Sequence, residues 1–215
     1  MEKKENWFLR SFRVFVSAIL AGGCVGLGGI VFLSLENKVL GALFFTVGLF
    51  TICTFKLHLF TGKVCYMFFY GLEYALQLPL IWVGNLIGTF VTAKIALLTR
   101  NGAAMVQKAV TLCSAKTSDT FLSLFLLGFL CNILIYIAVE GFSKNPHELG
   151  KYLSLLFGVM VFILAGTEHC VADMFYFTMA HMWDEAALRC MLVITVGNAC
   201  GGVCLPLLRK LAKNN

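Results

Sequence analysis

The chain reads as an all-α membrane protein with six transmembrane helices, two of them broken at half depth. Three observations carry that reading. Apolar residues fill 60% of its 215 positions and charged ones only 13%, against about 45–50% and about 25% in ordinary soluble domains. Mean hydropathy is +0.87. The apolar residues gather in runs long enough to cross a bilayer as helices, which takes roughly 20 residues each, whereas a barrel would show short alternating strands. Six such spans consume about 120–150 residues, so one domain over 1–215 is expected. The net charge of +6 sits mostly at the two ends and in loops. An ordinary cytosolic domain, a disordered tail and a nucleic-acid binder are excluded.

The first run, Val14 to about Leu35, follows Lys3, Lys4, Arg10 and Arg13. It exceeds the roughly 7–15 residues of a signal-peptide core and is taken as span one. Gly22, Gly23, Gly26, Gly28 and Gly29 give it a smooth surface for a neighbouring helix. Span two runs uncharged from Val39 to Phe55. It then meets Lys56, His58 and Lys63 around Leu59–Gly62 (LFTG) before turning apolar again to Leu72. Span three covers Ala75–Leu98 and holds GNLIG at Gly84–Gly88. A polar outer loop, Thr99–Asp119, is expected to separate it from span four at Thr120–Val139. Span five starts near Tyr152 and is uncharged to Gly166. It carries Glu168, His169 and Asp173, then resumes to about Ala180. Span six, Cys190–Leu208, holds GNACGG at Gly197–Gly202 and closes on Arg209, Lys210 and Lys213.

Most of the nine cysteines lie in or beside apolar runs, where Cys acts as a small hydrophobe. No CxxC pair occurs, and Cys200 and Cys204 lack companion ligands, so no metal and no cofactor is expected. Neither a P-loop nor a nucleophile elbow nor HExxH is present, so no enzyme is expected. With six spans both termini share one side. That side collects nine Lys and Arg (Lys3, Lys4, Arg10, Arg13, Lys144, Lys151, Arg209, Lys210 and Lys213). The other collects five: Lys38, Arg100, Lys108, Lys116 and Arg189. The excess places both termini in the cytoplasm of a cell (inner or plasma) membrane protein.

The two halves echo each other, with repeats expected over about 12–98 and 120–208. Spans two and five are each interrupted by a polar cluster, and spans three and six each carry GN-x-x-G. Interrupted spans at matched positions mark a transporter's site. Irregular backbone at that depth survives only where it is buried in protein or lines a cavity. With three spans per half the repeats run in opposite directions, and the two breaks are expected to face one another across a pathway. Glu168, His169 and Asp173, ionisable groups inside a span, mark that pathway as functional.

GTEHCVADMF in span five, LFTG in span two, GFLCN in span four and the GN-x-x-G pair resemble the formate/nitrite transporter family, which includes hydrosulfide channels. The resemblance runs in order from about Phe12 to Leu208. It implies an aquaporin-like inverted repeat, a homopentamer with one pore per protomer, and passage of formate, nitrite or hydrosulfide. Position by position it makes His169 the central pore histidine, with Thr61 opposite in a loop that includes Leu59 and Phe60. Phe45, Leu49 and Phe162 match apolar constrictions, Asn132 the span-four asparagine near the histidine, and Lys116 a vestibule lysine that attracts anions. Asp173 stands where many members have Asn.

A bare anion in an apolar constriction is costly. Three devices lower that barrier in this reading. Lys116, Arg100 and Lys108 gather anions at the outer mouth. Backbone N–H groups at the half-helix starts receive negative charge. A protonated or proton-donating His169 neutralises the anion, so protons join the small anions and the lipid bilayer as partners. Asp173, four residues on, is expected to orient the imidazole or favour its charge, and Glu168 to tie down backbone N–H groups at the break. Two alternatives stand beside this reading: an aquaporin-like pore for neutral solutes, and a b-haem protein ligated by His58 and His169.

Overall fold

The computed structural model describes residues 7–213; Lys3 and Lys4, counted above for orientation, lie outside the described residues, as does the side chain of Lys213. Among the described residues all regular structure is helical: α1 (Trp7–Ser34), α2 (Lys38–Thr54), α3 (Phe60–Val64), α4 (Leu72–Leu97), α5 (Gly102–Thr117), α6 (Phe121–Lys144), α7 (Glu148–Leu164), α8 (Cys170–Met179) and α9 (Glu185–Lys213). Four of these, α1, α4, α6 and α9, are long and apolar enough to cross a membrane. The connections are short, and their caps follow from sequence. Asn37 Oδ1 accepts the N–H groups of Val39 and Leu40 at the start of α2, and Thr120 Oγ1 accepts Ser123 N–H at the start of α6.

One expectation is corrected here. The polar stretch Thr99–Asp119 is not a loop throughout, because α5 occupies most of it and packs on α8 with a buried face that includes Met105, Ala109, Cys113 and Lys116. Apolar residues on that face recur at helical spacing among polar ones, which an average over the stretch conceals.

The chain repeats its own backbone. Four described residues adopt the left-handed region, and they fall into two pairs 110 positions apart: Lys56 (φ 56°) with Gly166 (φ 69°), and Gly71 (φ 80°) with His181 (φ 56°). The first pair ends α2 and α7; the second follows the short helices α3 and α8. Glycine adopts this conformation freely, whereas for Lys56 and His181 it costs roughly 1–2 kcal/mol each. Within each half the GN-x-x-G helix lies against the first helix of that half, α4 on α1 and α9 on α6. A Cβ at Gly88 would collide with the Ile19 carbonyl, and one at Gly201 with the Phe129 carbonyl. Both contacts are to backbone, so no rotamer change relieves them.

Candidate functional site

Residues 55–59 and 165–169 leave the helical conformation between α2 and α3 and between α7 and α8. Their freed backbone groups must find partners, and one asparagine serves each interruption. Asn85, in GNLIG, accepts Phe60 N–H through Oδ1 at 2.8 Å. Through Nδ2 it donates to the carbonyls of Ala18 (2.8 Å) and His58 (3.0 Å). Asn198, in GNACGG, accepts Cys170 N–H at 2.8 Å and donates to the carbonyls of Gly128 and Glu168, each at 2.8 Å. Both side chains are fully buried. An amide alone among neutral side chains of this size offers one acceptor and two donors together. In the sequence these asparagines stand out only as part of the GN-x-x-G repeat, and their recurrence in both halves is the signal of a shared task.

The two interruptions meet. His169 caps α8: its Nδ1 accepts Ala172 N–H at 3.1 Å. That bond uses the Nδ1 lone pair, so the neutral ring carries its proton on Nε2. Nε2–H points to Thr61 Oγ1, 2.9 Å away in the first turn of α3. Because Thr61 accepts this bond, its own hydroxyl proton is free to donate elsewhere. Asn132 on α6 donates to the Thr61 carbonyl at 3.1 Å and so fixes the start of α3; its Oδ1 is buried and has no partner among the described residues.

Apolar side chains flank this pair. The Phe162 ring stacks on the His169 imidazole with centroids 5.6 Å apart, and Phe45 meets Phe162 edge-on at 6.0 Å. Leu49 follows one turn along α2, and Leu59 and Phe60 lie at the start of α3; all are buried. Leu49 and Leu59 also form part of the wall of a cleft of ≈ 610 Å³ that includes Cys53, Lys56, Lys63 and Lys151. This cleft lies beside the α6–α7 connection. The residues singled out as pathway and constriction are thus brought together, with Lys116 as the exception.

Lys116 and the two acids form a separate buried group. The Lys116 ammonium donates to Glu168 Oε2 and lies 3.1 Å from Asp173 Oδ1. Its charge is already matched, and it is buried rather than displayed in a vestibule. Of its expected helpers, Lys108 is tied to Glu36 at 2.8 Å and to the Leu35 carbonyl at 3.2 Å, while Arg100 is exposed. The Asp173 carboxylate turns to Lys116 and does not orient the imidazole; its bond to His169 is the ordinary helical N–H to carbonyl. Glu168 likewise pairs with Lys116, and Asn198 does the backbone work expected of it. Charge spacing along one helix cannot reveal a partner that arrives from α5.

His58, at the position in the first break that corresponds to Glu168, engages Ser17 Oγ through both its backbone N–H (3.1 Å) and its Nδ1 (2.9 Å). With Ser17 on one ring, and Thr61, Ala172 and a stacked Phe162 on the other, the two histidines do not fit a pair of axial haem ligands. Among the described residues no cluster of His, Cys, Asp or Glu is suited to a metal ion.

Comparison with known proteins matches residues 1–211 to the family model described as formate/nitrite transporter. The chain is 27% identical to the nitrite transporter NirC of Escherichia coli over 213 residues, covering 87% of this chain and 78% of the relative. It is 24% identical to the formate channel FocA of Haemophilus influenzae over 241 residues, covering 91% and 85%. Among solved structures, a pentameric formate channel with formate bound superposes with a TM-score of 0.80 at 24% identity, covering 96% of this chain and 98% of the other. An FNT family ion channel superposes at 0.77 with 26% identity, covering 90% and 87%.

Proposed function

This chain belongs to the formate/nitrite transporter family, and from that premise we propose that it conducts small monovalent anions, formate or nitrite and also hydrosulfide, across a cell membrane. In this reading α2 with α3, and α7 with α8, are two interrupted crossings. Together with α1, α4, α6 and α9 they make six, arranged as inverted repeats of about 12–98 and 120–208, with both termini cytoplasmic. Five copies assemble with one pore each, by analogy with the structurally similar pentameric formate channel.

The observation that carries the reading is the hydrogen bond between His169 and Thr61, which joins the two interruptions between apolar flanks. A bare anion buried at such a point carries a Born penalty of order 20 kcal/mol before relaxation. Protonating a weak acid instead costs about 1.4 kcal/mol for each pH unit between its pKa and the medium. Proton assistance therefore favours passage. The neutral ring directs Nε2–H to Thr61, whose hydroxyl donates to the anion. A second proton on the ring would set Nδ1–H against the Ala172 N–H and place a charge in a buried site, so the ring takes it up only together with the anion that neutralises it. Stopped-flow uptake of formate and nitrite by proteoliposomes, with and without a pH gradient, tests this. His169→Phe should abolish the pH-dependent component between pH 5 and 8, and unchanged flux in that variant refutes the role.

A further inference from the structure

Lys116, Glu168 and Asp173 form a group with one positive and two negative charges, exposed to only 9%, 7% and 1% respectively. The ammonium touches both acids, so the two carboxylates converge on a single nitrogen. Asp173 Oδ2 is buried with no donor among the described residues. A buried carboxylate with a bare oxygen beside a second carboxylate, and only one cation between them, is a charge the surroundings do not balance.

Among the described residues no neighbour supplies the missing charge; Lys63 on α3, a helix that also touches α8, lines the cleft beside the α6–α7 connection instead. The titratable groups around the trio are Cys113 on α5, Cys131 on α6, Cys170 and Tyr176 on α8 and Cys190 on α9, none of them cationic. The helices α1 and α4, which also pack on α8, bury no charged side chain. His169, next in sequence to Glu168, has both ring nitrogens engaged by Ala172 and Thr61.

We propose that the trio is a proton-binding site: one proton shared between the Glu168 and Asp173 carboxyl groups completes a neutral group with Lys116. The proton gives Asp173 Oδ2 the partner it lacks and leaves the Lys116 contacts intact. It is distinct from any proton on His169. Its loss at alkaline pH leaves a net negative charge on the elements that carry the candidate pathway, which opposes the passage of anions. That consequence rests on the conduction reading; the proton itself does not.

Infrared spectra of the purified protein in liposomes separate the two claims. The wild type should show, at neutral pH, the carbonyl stretch of a protonated carboxylic acid that shifts in D2O and disappears on alkaline titration. D173N, which keeps the Lys116–Glu168 pair, should lack this band and should also lose the alkaline decline in anion flux. Absence of the band in the wild type at neutral pH overturns the site whether or not anions are carried. So does its persistence in D173N, or a missing band accompanied by sodium-dependent thermal stability, which would make the counter-charge a metal cation. Should D173N not fold, the wild-type titration alone decides. A band that titrates without any change in flux retains the proton and removes its link to conduction.

Discussion

At the scale of single residues, the chemistry sits where the internal repeat departs from itself. His169 occupies the position matched by Leu59, Thr61 the one matched by Val171, and Asn132 the one matched by Gly22. A side chain at Gly22 would run into the Asn85 backbone, so only the second half carries the amide that holds Thr61. The hydroxyl of Thr61 is the donor left over once His169 Nε2–H is accepted. Thr61→Val keeps the shape and removes that donor. Losing a hydrogen bond to a buried polar group costs about 1–3 kcal/mol, so anion uptake should slow roughly ten- to a hundredfold. Thr61→Ser should restore most of it in the same stopped-flow assay. Equal rates for the Val variant and the wild type would exclude Thr61 from the path. His169 was legible in the sequence as an ionisable residue inside an apolar span, and Thr61 only through the family resemblance that LFTG carries. The trio around Lys116 was not, because its members come from α5, the α7–α8 break and α8.

At the scale of elements, the interruptions are held by Asn85 and Asn198, each with one accepted N–H and two donated bonds to carbonyls. A carboxylate there keeps the first contact and turns a bare oxygen toward two carbonyl oxygens. Asn85→Asp should therefore lower thermal stability more than Asn85→Ala, which forfeits about 0.5–1.5 kcal/mol for each of its bonds. The corresponding Asn198 variants should rank the same way when unfolding is followed in detergent by intrinsic Trp fluorescence. An Asp variant as stable as the wild type at either site would remove the asparagine from this task. The approximate course of the apolar helices and the polar clusters at residues 56–63 and 168–173 were readable from hydropathy. The helix ends were not: α1, α6 and α9 each run several residues beyond the apolar runs that marked them. The breaks' partners were not, since Asn85 lies 25 positions from Phe60 and Asn198 lies 28 from Cys170. Nor was α5 readable, a helix whose single apolar face disappears in a composition average.

At the scale of the whole molecule, the cleft beside the α6–α7 connection reaches Leu49 and Leu59, while at α5 Lys116 is buried with its acids. Cys53 lines that cleft and Cys113 and Cys170 are buried. A membrane-impermeant, thiol-reactive anion applied to oriented vesicles should therefore block uptake from the side bearing the α6–α7 connection, and Cys53→Ser should abolish the block. Block from the opposite side alone would contradict the direction of the cleft. The sequence by itself determined that the chain is a membrane protein of helices in two echoing halves, with an imidazole at one interruption. Those properties follow from hydropathy, spacing and residue type, which are local along the chain. Tertiary structure alone decided which proton His169 offers, what Lys116 neutralises and which asparagines hold the broken backbone. Each of these depends on hydrogen-bond and charge partners from distant helices, and burial removes the water that would otherwise satisfy them.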